Sequence, residues 1–205
     1  MVEAASPAGR KAAGERTRRT ILEAAAKLAS VEGLDGLSIG RLADEVGMSK
    51  SGLYAHFRSK TGLQLATIGA ADEIFRREVV EPGQAAPPGT ARVVALCEAF
   101  LSHVERGVFP GGCFFTAAAS ELSVRPGAVR DRVVEWVGGW LGTIQAAVAE
   151  AQERGEIRKQ ADAAQIAFEA NALIVTANIA FLLFGDPAVL ERARRGVRDR
   201  LAAAE

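Results

Sequence analysis

Two short helical patterns joined by a glycine constrain this chain more than any other feature of its sequence. The first covers residues 39–46, where four apolar residues recur at helical spacing on one face: Ile39, Leu42, Ala43 and Val46. Gly47 breaks this pattern, and Ser49 is a suitable N-cap for a second short helix that carries Leu53 and Phe57. Two short helices joined at a tight glycine turn form the helix-turn-helix pattern, whose second helix enters the major groove of DNA.

The side chains of the second helix are suited to contact with DNA. Ser49, Lys50 and Ser51 begin that helix and are expected at base edges, where lysine donates to guanine O6 or N7. Tyr54, His56 and Lys60 are expected at phosphates. Ser38 is expected to cap the helix over residues 39–46, so that the positive end of that helix meets a phosphate. The predicted DNA-binding residues are Arg18, Ser38, Ser49, Lys50, Ser51, Gly52, Tyr54, His56 and Lys60.

Several of these assignments have a structural alternative. Tyr54 and Phe57 can both be core residues; we prefer the core for Phe57, whereas the hydroxyl of Tyr54 favours a phosphate contact. His56 can end the helix without any partner. Arg18 belongs to a basic cluster with residues 10, 11, 16 and 19, which either reaches DNA or is a solvated tail.

The segment from Gly47 to Leu63, GMSKSGLYAHFRSKTGL, resembles the DNA-binding domain of the tetracycline-repressor-like family of bacterial regulators. The core Leu-Tyr-x-His-Phe-x-x-Lys and the upstream Ile-x-x-Leu-Ala-x-x-Val-Gly carry the resemblance, which spans about the first third of the chain. Gly40 departs from a good helix pattern, at a cost of roughly 0.5–1 kcal/mol relative to alanine. The resemblance implies that a fourth helix links the head to the body and transmits the ligand signal.

Composition and charge place the chain in the all-α class. Of its 205 residues 49% are hydrophobic, and no segment alternates like a half-buried strand. Residues 1–60 hold ten basic and seven acidic residues in a chain of zero net charge, which suits a specific DNA reader with a positive head. The N-terminus lacks the apolar core of a secretory signal, and two cysteines indicate a reducing cytoplasm rather than a disulfide framework.

The helical patterns predict about nine helices in three regions. Residues 1–14 are expected to be a disordered tail, 15–61 the helix-turn-helix domain, and 62–205 a ligand-binding and dimerisation domain. The first helix is expected from about residue 16 to Val31. The fourth is expected from Lys60 to about Val80, because Pro82 and its neighbours forbid a continuous helix over 81–89.

The eighth predicted helix, which follows Asp162 and runs to Gly185, is apolar on nearly every face and as long as a membrane span. Glu169 and several amide side chains within it favour a soluble interior instead. A helix apolar on all sides needs a partner over one face, so we expect the eighth and ninth helices to form a four-helix bundle across a two-fold axis. The predicted dimer-interface residues are Ile166, Leu173, Ala177, Phe181, Leu190, Val197 and Leu201.

Aromatic residues in the body predict an apolar ligand cavity between helices. The predicted ligand-binding residues are Phe100, His103, Phe114, Phe115, Trp136, Trp140, Phe168 and Asn171, with Phe109, Thr116 and Glu121 as further candidates. Each aromatic residue, taken singly, can instead be core. Cys113 follows two glycines and is expected to begin a helix, where the helix dipole lowers the pKa of a thiol. It is either a reactive sensor, for which a nucleophilic pair with His103 can be imagined, or a small buried hydrophobic residue.

These patterns predict a cytoplasmic, homodimeric transcriptional regulator that binds double-stranded DNA at a palindromic operator. We expect a repressor that a small apolar ligand releases from DNA, with no cofactor, no metal, no membrane partner and no enzymatic activity. One alternative is a regulator that senses oxidants or electrophiles through Cys113. An alternative of another class is a helical ligand-binding protein or enzyme that does not bind DNA.

Overall fold

The computed structural model of the chain describes residues 7–204, with side chains from residue 14 onward. These residues form an all-α fold without strands, as the sequence predicts. The helices are α1 (Pro7–Glu32), α2 (Ile39–Val46), α3 (Lys50–Phe57), α4 (Lys60–Phe75), α5 (Glu81–Gln84), α6 (Thr90–Glu105), α7 (Phe114–Leu122), α8 (Ala128–Glu153), α9 (Ala163–Phe184) and α10 (Ala188–Ala202). A π-helical turn (Arg76–Val80) joins α4 to α5.

The first helix starts earlier than the apolar pattern indicates. α1 begins at Pro7, whereas the sequence predicts a start near residue 16 and a disordered tail over 1–14. The prediction is therefore wrong for residues 7–14, and residues 1–6 lie outside the described part of the chain. Pro7 suits the first helical position because its φ is fixed near the helical value, and the alanine, lysine and arginine that follow are good helix formers.

Serine caps fix the helices of the helix-turn-helix. The Ser38 Oγ accepts a hydrogen bond from the Arg41 N–H at 3.2 Å, and the Ser49 Oγ accepts one from the Gly52 N–H at 3.1 Å. α2 ends at Gly47, whose φ of 65° is one that glycine adopts without strain. The predicted caps and the predicted turn are confirmed, because short-range hydrogen bonds determine all three.

A π-helical turn carries the chain past Pro82 without a break. The sequence predicts that the fourth helix stops near Val80. Instead α4 widens into the π-helical turn at Arg76 and continues as α5 to Gln84. Pro82 lies within the first two positions of α5, which follows directly after the π-helical turn. The predicted break is therefore wrong between Glu81 and Gln84.

The body is a helical bundle in which α9 packs against α6, α8 and α10. Arg194 of α10 also joins Glu98 and Glu105 of α6, with N–O distances of 2.8 and 2.9 Å. α9 is long and apolar enough to cross a membrane, with a mean hydropathy of 1.8 over its most apolar stretch. Since three neighbouring helices cover part of its surface, α9 is better explained as a helix of the body with one uncovered face.

Most of the residues predicted for the dimer interface are buried inside the single chain. Those at most 4% exposed are Ile166 and Ala177 on α9, and Leu190, Val197 and Leu201 on α10; Leu173 and Phe181 are half-buried. The buried five hold α9 and α10 to the chain's own core, so their assignment to an interface is wrong. The large apolar side chains of α9 that are exposed are Phe168, Ile179, Leu182, Leu183 and Phe184, which we call the α9 apolar face.

Glu121 of α7 connects the body to the head. Its two carboxylate oxygens accept hydrogen bonds from the backbone N–H groups of Leu34 and Asp35, each at 2.8 Å. We call this pair of bonds the Glu121 clasp. The Ser30 Oγ of α1 adds a second connection, because it accepts a hydrogen bond from the Gly111 N–H at 3.1 Å. Glu121 therefore holds the loop between α1 and α2 rather than facing a ligand cavity.

Candidate DNA interface and ligand site

The α3 helix divides its side chains between the core and solvent. Leu53 and Phe57 are buried against the head, which confirms Phe57 as a core residue. Ser51 and Lys50 are exposed, and Tyr54 is 58% exposed although it is a large aromatic residue. Because the caps at Ser49 and Ser59 hold both ends of this region, the polar face of α3 is presented on a well-defined backbone.

Two of the cationic residues predicted to bind DNA have side-chain contacts within the chain. The Lys60 Nζ donates a hydrogen bond to the Asp35 carbonyl oxygen at 2.6 Å. The Arg18 guanidinium lies over the Phe57 ring, with its Cζ 5.2 Å from the ring centroid. Both side chains are long and flexible, so contact with a phosphate requires them to exchange these contacts for it. His56 is exposed in the last turn of α3.

In the body, most of the predicted ligand-binding residues come together in one packed group. We call it the aromatic cluster, and it consists of Phe75, Phe100, His103, Phe109, Phe114, Phe115, Trp136 and Trp140. Asn171 borders it, because its Oδ1 accepts a hydrogen bond from the Trp140 Nε1 at 3.0 Å. Phe168 does not belong to it: this side chain is 61% exposed on the α9 apolar face.

Phe75 is the centre of the aromatic cluster and was missing from the predicted ligand site. Its ring centroid lies 4.8 Å from that of Trp136, 5.1 Å from Trp140 and 5.9 Å from His103, in edge-to-face arrangements. Phe75 falls within the predicted fourth helix, and nothing in the pattern of that helix distinguishes it from the other apolar residues there. Its role depends on ring contacts with Phe100 of α6 and Trp140 of α8, which are tertiary information that periodicity does not contain.

Two family models match the chain. The model described as bacterial regulatory proteins of the tetR family matches residues 21–67, and the model of the tetracyclin repressor-like C-terminal domain matches residues 89–197. The second match alone covers more than half of the chain. The chain belongs to the TetR family. It is therefore a DNA-binding transcriptional regulator, and the resemblance drawn from residues 39–63 is confirmed.

Solved structures of TetR-family regulators share the fold over most of the chain. A regulator from Chloroflexus aurantiacus is 28% identical, with a TM-score of 0.85 over 92% of this chain and 96% of that one. One from Streptomyces coelicolor is 24% identical, with a TM-score of 0.79 over 98% and 97%. AibR, in complex with isovaleryl coenzyme A and operator DNA, is 23% identical, with a TM-score of 0.69 over 87% and 94%. No curated protein sequence matches the chain.

His103 is the polar exception within the aromatic cluster of this TetR-family regulator. Its side chain is 0% exposed, and neither ring nitrogen has a hydrogen-bond partner. Burial lowers the pKa of His103 from 6.5 to about 4, with Arg106 lowering it further and Glu78 opposing the shift. The imidazole is therefore neutral near pH 7. Among the described residues, no group of three or more His, Cys, Asp or Glu side chains is placed to hold a metal ion.

Cys113 lies at the N-cap of α7, one residue before the helix, but its thiol is not activated there. The side chain is buried, and burial raises the pKa of the Cys113 thiol, although hydrogen bonds from Thr116 and Phe115 oppose the shift. The expected lowering by the helix dipole is therefore wrong, because desolvation of the thiolate is the larger effect. A nucleophilic pair with His103 is not formed either, since both imidazole nitrogens are unpartnered.

Proposed function

We propose that this TetR-family regulator is a cytoplasmic homodimer that represses transcription from a palindromic operator and leaves the DNA when a small apolar ligand binds its body. The observation that carries the proposal is the surface of α3, which is capped at Ser49 and exposes Lys50, Ser51 and Tyr54. A short capped helix with one polar face supplies both base-edge and phosphate contacts of the helix-turn-helix type.

The α9 apolar face supports the homodimer. Leu183 and Phe184 are 72% and 73% exposed, and monomeric proteins rarely leave such large apolar side chains grouped in contact with water. Beside this face, α9 and α10 enclose a groove of about 540 Å³ that Phe168 and Val189 help to line. A second copy packed over both helices forms a four-helix bundle, and its two heads read half-sites about 34–36 Å apart or a multiple of that.

Two helices support release of DNA by a ligand, because each runs between the aromatic cluster and the head. α4 begins at Lys60 beside α3 and ends at Phe75 in the cluster. α7 begins at Phe114 in the cluster and reaches the head through the Glu121 clasp. A ligand that rearranges the cluster therefore alters the position of the head, and by linkage DNA and ligand weaken each other's binding by the same factor.

A salt titration of operator binding tests the DNA interface. Operator sequences are first selected from random duplex DNA, and affinity is then measured by electrophoretic shift at several salt concentrations. Lys60→Ala is expected to weaken binding to all operators and to flatten the slope of log affinity against log salt by about one unit. Lys159→Ala, which removes an exposed lysine of the α8–α9 loop, is the matched control and keeps the wild-type slope. An unchanged slope for Lys60→Ala contradicts its role as a phosphate contact.

Sedimentation velocity tests the dimer. Phe184→Asp places a charge on the α9 apolar face and is expected to shift the protein to monomers and to reduce operator affinity, because a single head makes half of the contacts. Val124→Asp is the matched control, since Val124 is an 85% exposed apolar residue in the loop between α7 and α8. A wild-type protein that sediments as a monomer, or a control variant that dissociates as readily as Phe184→Asp, refutes this interface.

A further inference from the structure

The polar atoms around His103 already have partners, but those of His103 itself do not. The Trp136 Nε1 donates a hydrogen bond to the Asp72 Oδ1 at 2.9 Å, and the Trp140 Nε1 is bonded to Asn171. The Glu78 carboxylate, which faces His103 from the π-helical turn, accepts a hydrogen bond from the Arg106 guanidinium at 3.0 Å. Buried polar groups are nearly always hydrogen-bonded, so a buried imidazole with two free nitrogens requires an explanation.

Structural stability does not explain a histidine at this position. The ring packs against Phe75 and Phe109, with centroid distances of 5.9 and 5.3 Å. A leucine or phenylalanine there would fill similar space without the cost of desolvating two polar nitrogens. Residues that reduce stability in this way are characteristic of functional sites, where binding compensates for the cost.

The position of His103 also fits a role in signalling. Phe75, which covers one side of the imidazole, is the last residue of α4, and the π-helical turn begins at the next residue. Single π-helical turns inside α-helices occur frequently at functional sites. A molecule that reaches the imidazole from the Phe75 side displaces that ring, and this displacement acts directly on the end of α4.

We propose that His103 is the polar anchor of the effector site, and that the effector is an uncharged, mainly apolar molecule carrying one hydroxyl group, such as a substituted phenol. This inference rests on the ligand-release function proposed above and specifies the chemical class of the ligand. A neutral imidazole has one N–H donor and one acceptor nitrogen, and a hydroxyl group can satisfy either. A charged ligand is excluded because the nearby ions, Glu78 and Arg106, neutralise each other and leave it no counter-ion.

The test compares two probes of nearly equal shape, 4-ethylphenol and ethylbenzene, on the full-length wild-type protein. Both tryptophans of the chain lie in the aromatic cluster, so intrinsic fluorescence reports binding there. Wild-type protein is expected to bind 4-ethylphenol at least about tenfold more tightly, because a site built for a hydroxyl discriminates against an analogue that lacks it. His103→Leu is expected to lose this preference and to melt at an unchanged or higher temperature. Val124→Asp, at an exposed position in the loop between α7 and α8, keeps the preference.

Three results overturn the inference. They are equal affinities of the wild type for the two probes, no fluorescence response to 4-ethylphenol up to its solubility limit, and a His103→Leu variant that melts several degrees lower. The last result identifies a structural histidine. Operator binding measured on the same samples separates the proposed DNA-binding function from the proposed ligand class. If the protein binds its operator as a dimer but does not bind 4-ethylphenol, only the ligand class is refuted.

Discussion

The Glu121 clasp allows a sharp test of how the head is held to the body. Glu121→Gln preserves the size of the side chain but replaces one carboxylate oxygen with an amide nitrogen, which donates and cannot accept. In the native chain both oxygens accept backbone N–H bonds at 2.8 Å, from Leu34 and Asp35. Glutamine therefore loses one bond, leaves an N–H facing another donor, and weakens the second bond by removing the charge.

The size of the effect follows from these two bonds. A hydrogen bond to a charged group contributes about 1.5–3 kcal/mol. If its bond to Glu121 is lost, the partly buried Leu34 N–H is less able than the exposed Asp35 N–H to bond to water instead. We expect Glu121→Gln to reduce the free energy of unfolding by about 2 kcal/mol. For a chain of this length, each kcal/mol lowers the melting temperature by roughly 2–4 °C, which gives a decrease of about 4–8 °C.

Differential scanning calorimetry measures this change, with Glu153→Gln as the matched control. Glu153 is an exposed carboxylate of α8 with no ion pair or hydrogen bond among the described contacts, so its neutralisation is expected to move the melting temperature by less than about 1 °C. If both variants melt within a degree of the wild type, the clasp contributes nothing and the proposed connection through α7 is refuted. A loss of stability without any change in ligand response would instead show that the clasp is structural only.

Other consequences of the structure can be measured separately. Gly40→Ala is expected to stabilise the protein by roughly 0.5–1 kcal/mol in chemical denaturation, because an added Cβ meets the Lys50 side chain at an ordinary distance of 3.5 Å. Neither cysteine is expected to react with Ellman's reagent before unfolding, since burial raises the pKa of Cys97 to about 12 and also raises that of Cys113; fast labelling of Cys113 in the folded state contradicts this. Because the pKa of His103 falls to about 4, unfolding binds a proton and stability decreases as the pH falls from 6.5 to 4, by roughly 3 kcal/mol in total. His103→Leu should remove that part of the pH dependence, and an unchanged profile would contradict it.

The head could be predicted from sequence because its structure depends on short-range signals. Each serine cap bonds an N–H three residues ahead, and Gly47 supplies the one left-handed residue that the turn requires. The spacing of Leu42, Leu53 and Phe57 then determines which faces are buried. Sequence alone could not show that Lys60 and Arg18 have partners within the chain, because those contacts depend on the positions of neighbouring helices.

The body was predicted less completely because its helices carry more apolar surface than a single face. α9 is apolar on nearly every side, so periodicity could not separate Ile166, which packs inside the chain, from Phe168, which is exposed two residues later. Phe75 was missed for a related reason. A buried residue at the end of α4 has the same sequence pattern whether it meets aliphatic side chains or the centre of an aromatic cluster.

The arrangement of α4 and α7 limits how a ligand signal can reach DNA. Phe75 at the end of α4 contacts Phe115 in the first turn of α7, with ring centroids 6.1 Å apart, so a molecule that displaces Phe75 acts on both helices at one point. The N-terminal end of α4 lies beside α3, whereas the C-terminal end of α7 is joined by the Glu121 clasp to the loop that precedes α2. If only one of the two helices moved, the other would still hold the head in its original position. Release of DNA therefore requires either that α4 and α7 move together or that the clasp opens, and in the second case Glu121→Gln lowers operator affinity even without ligand.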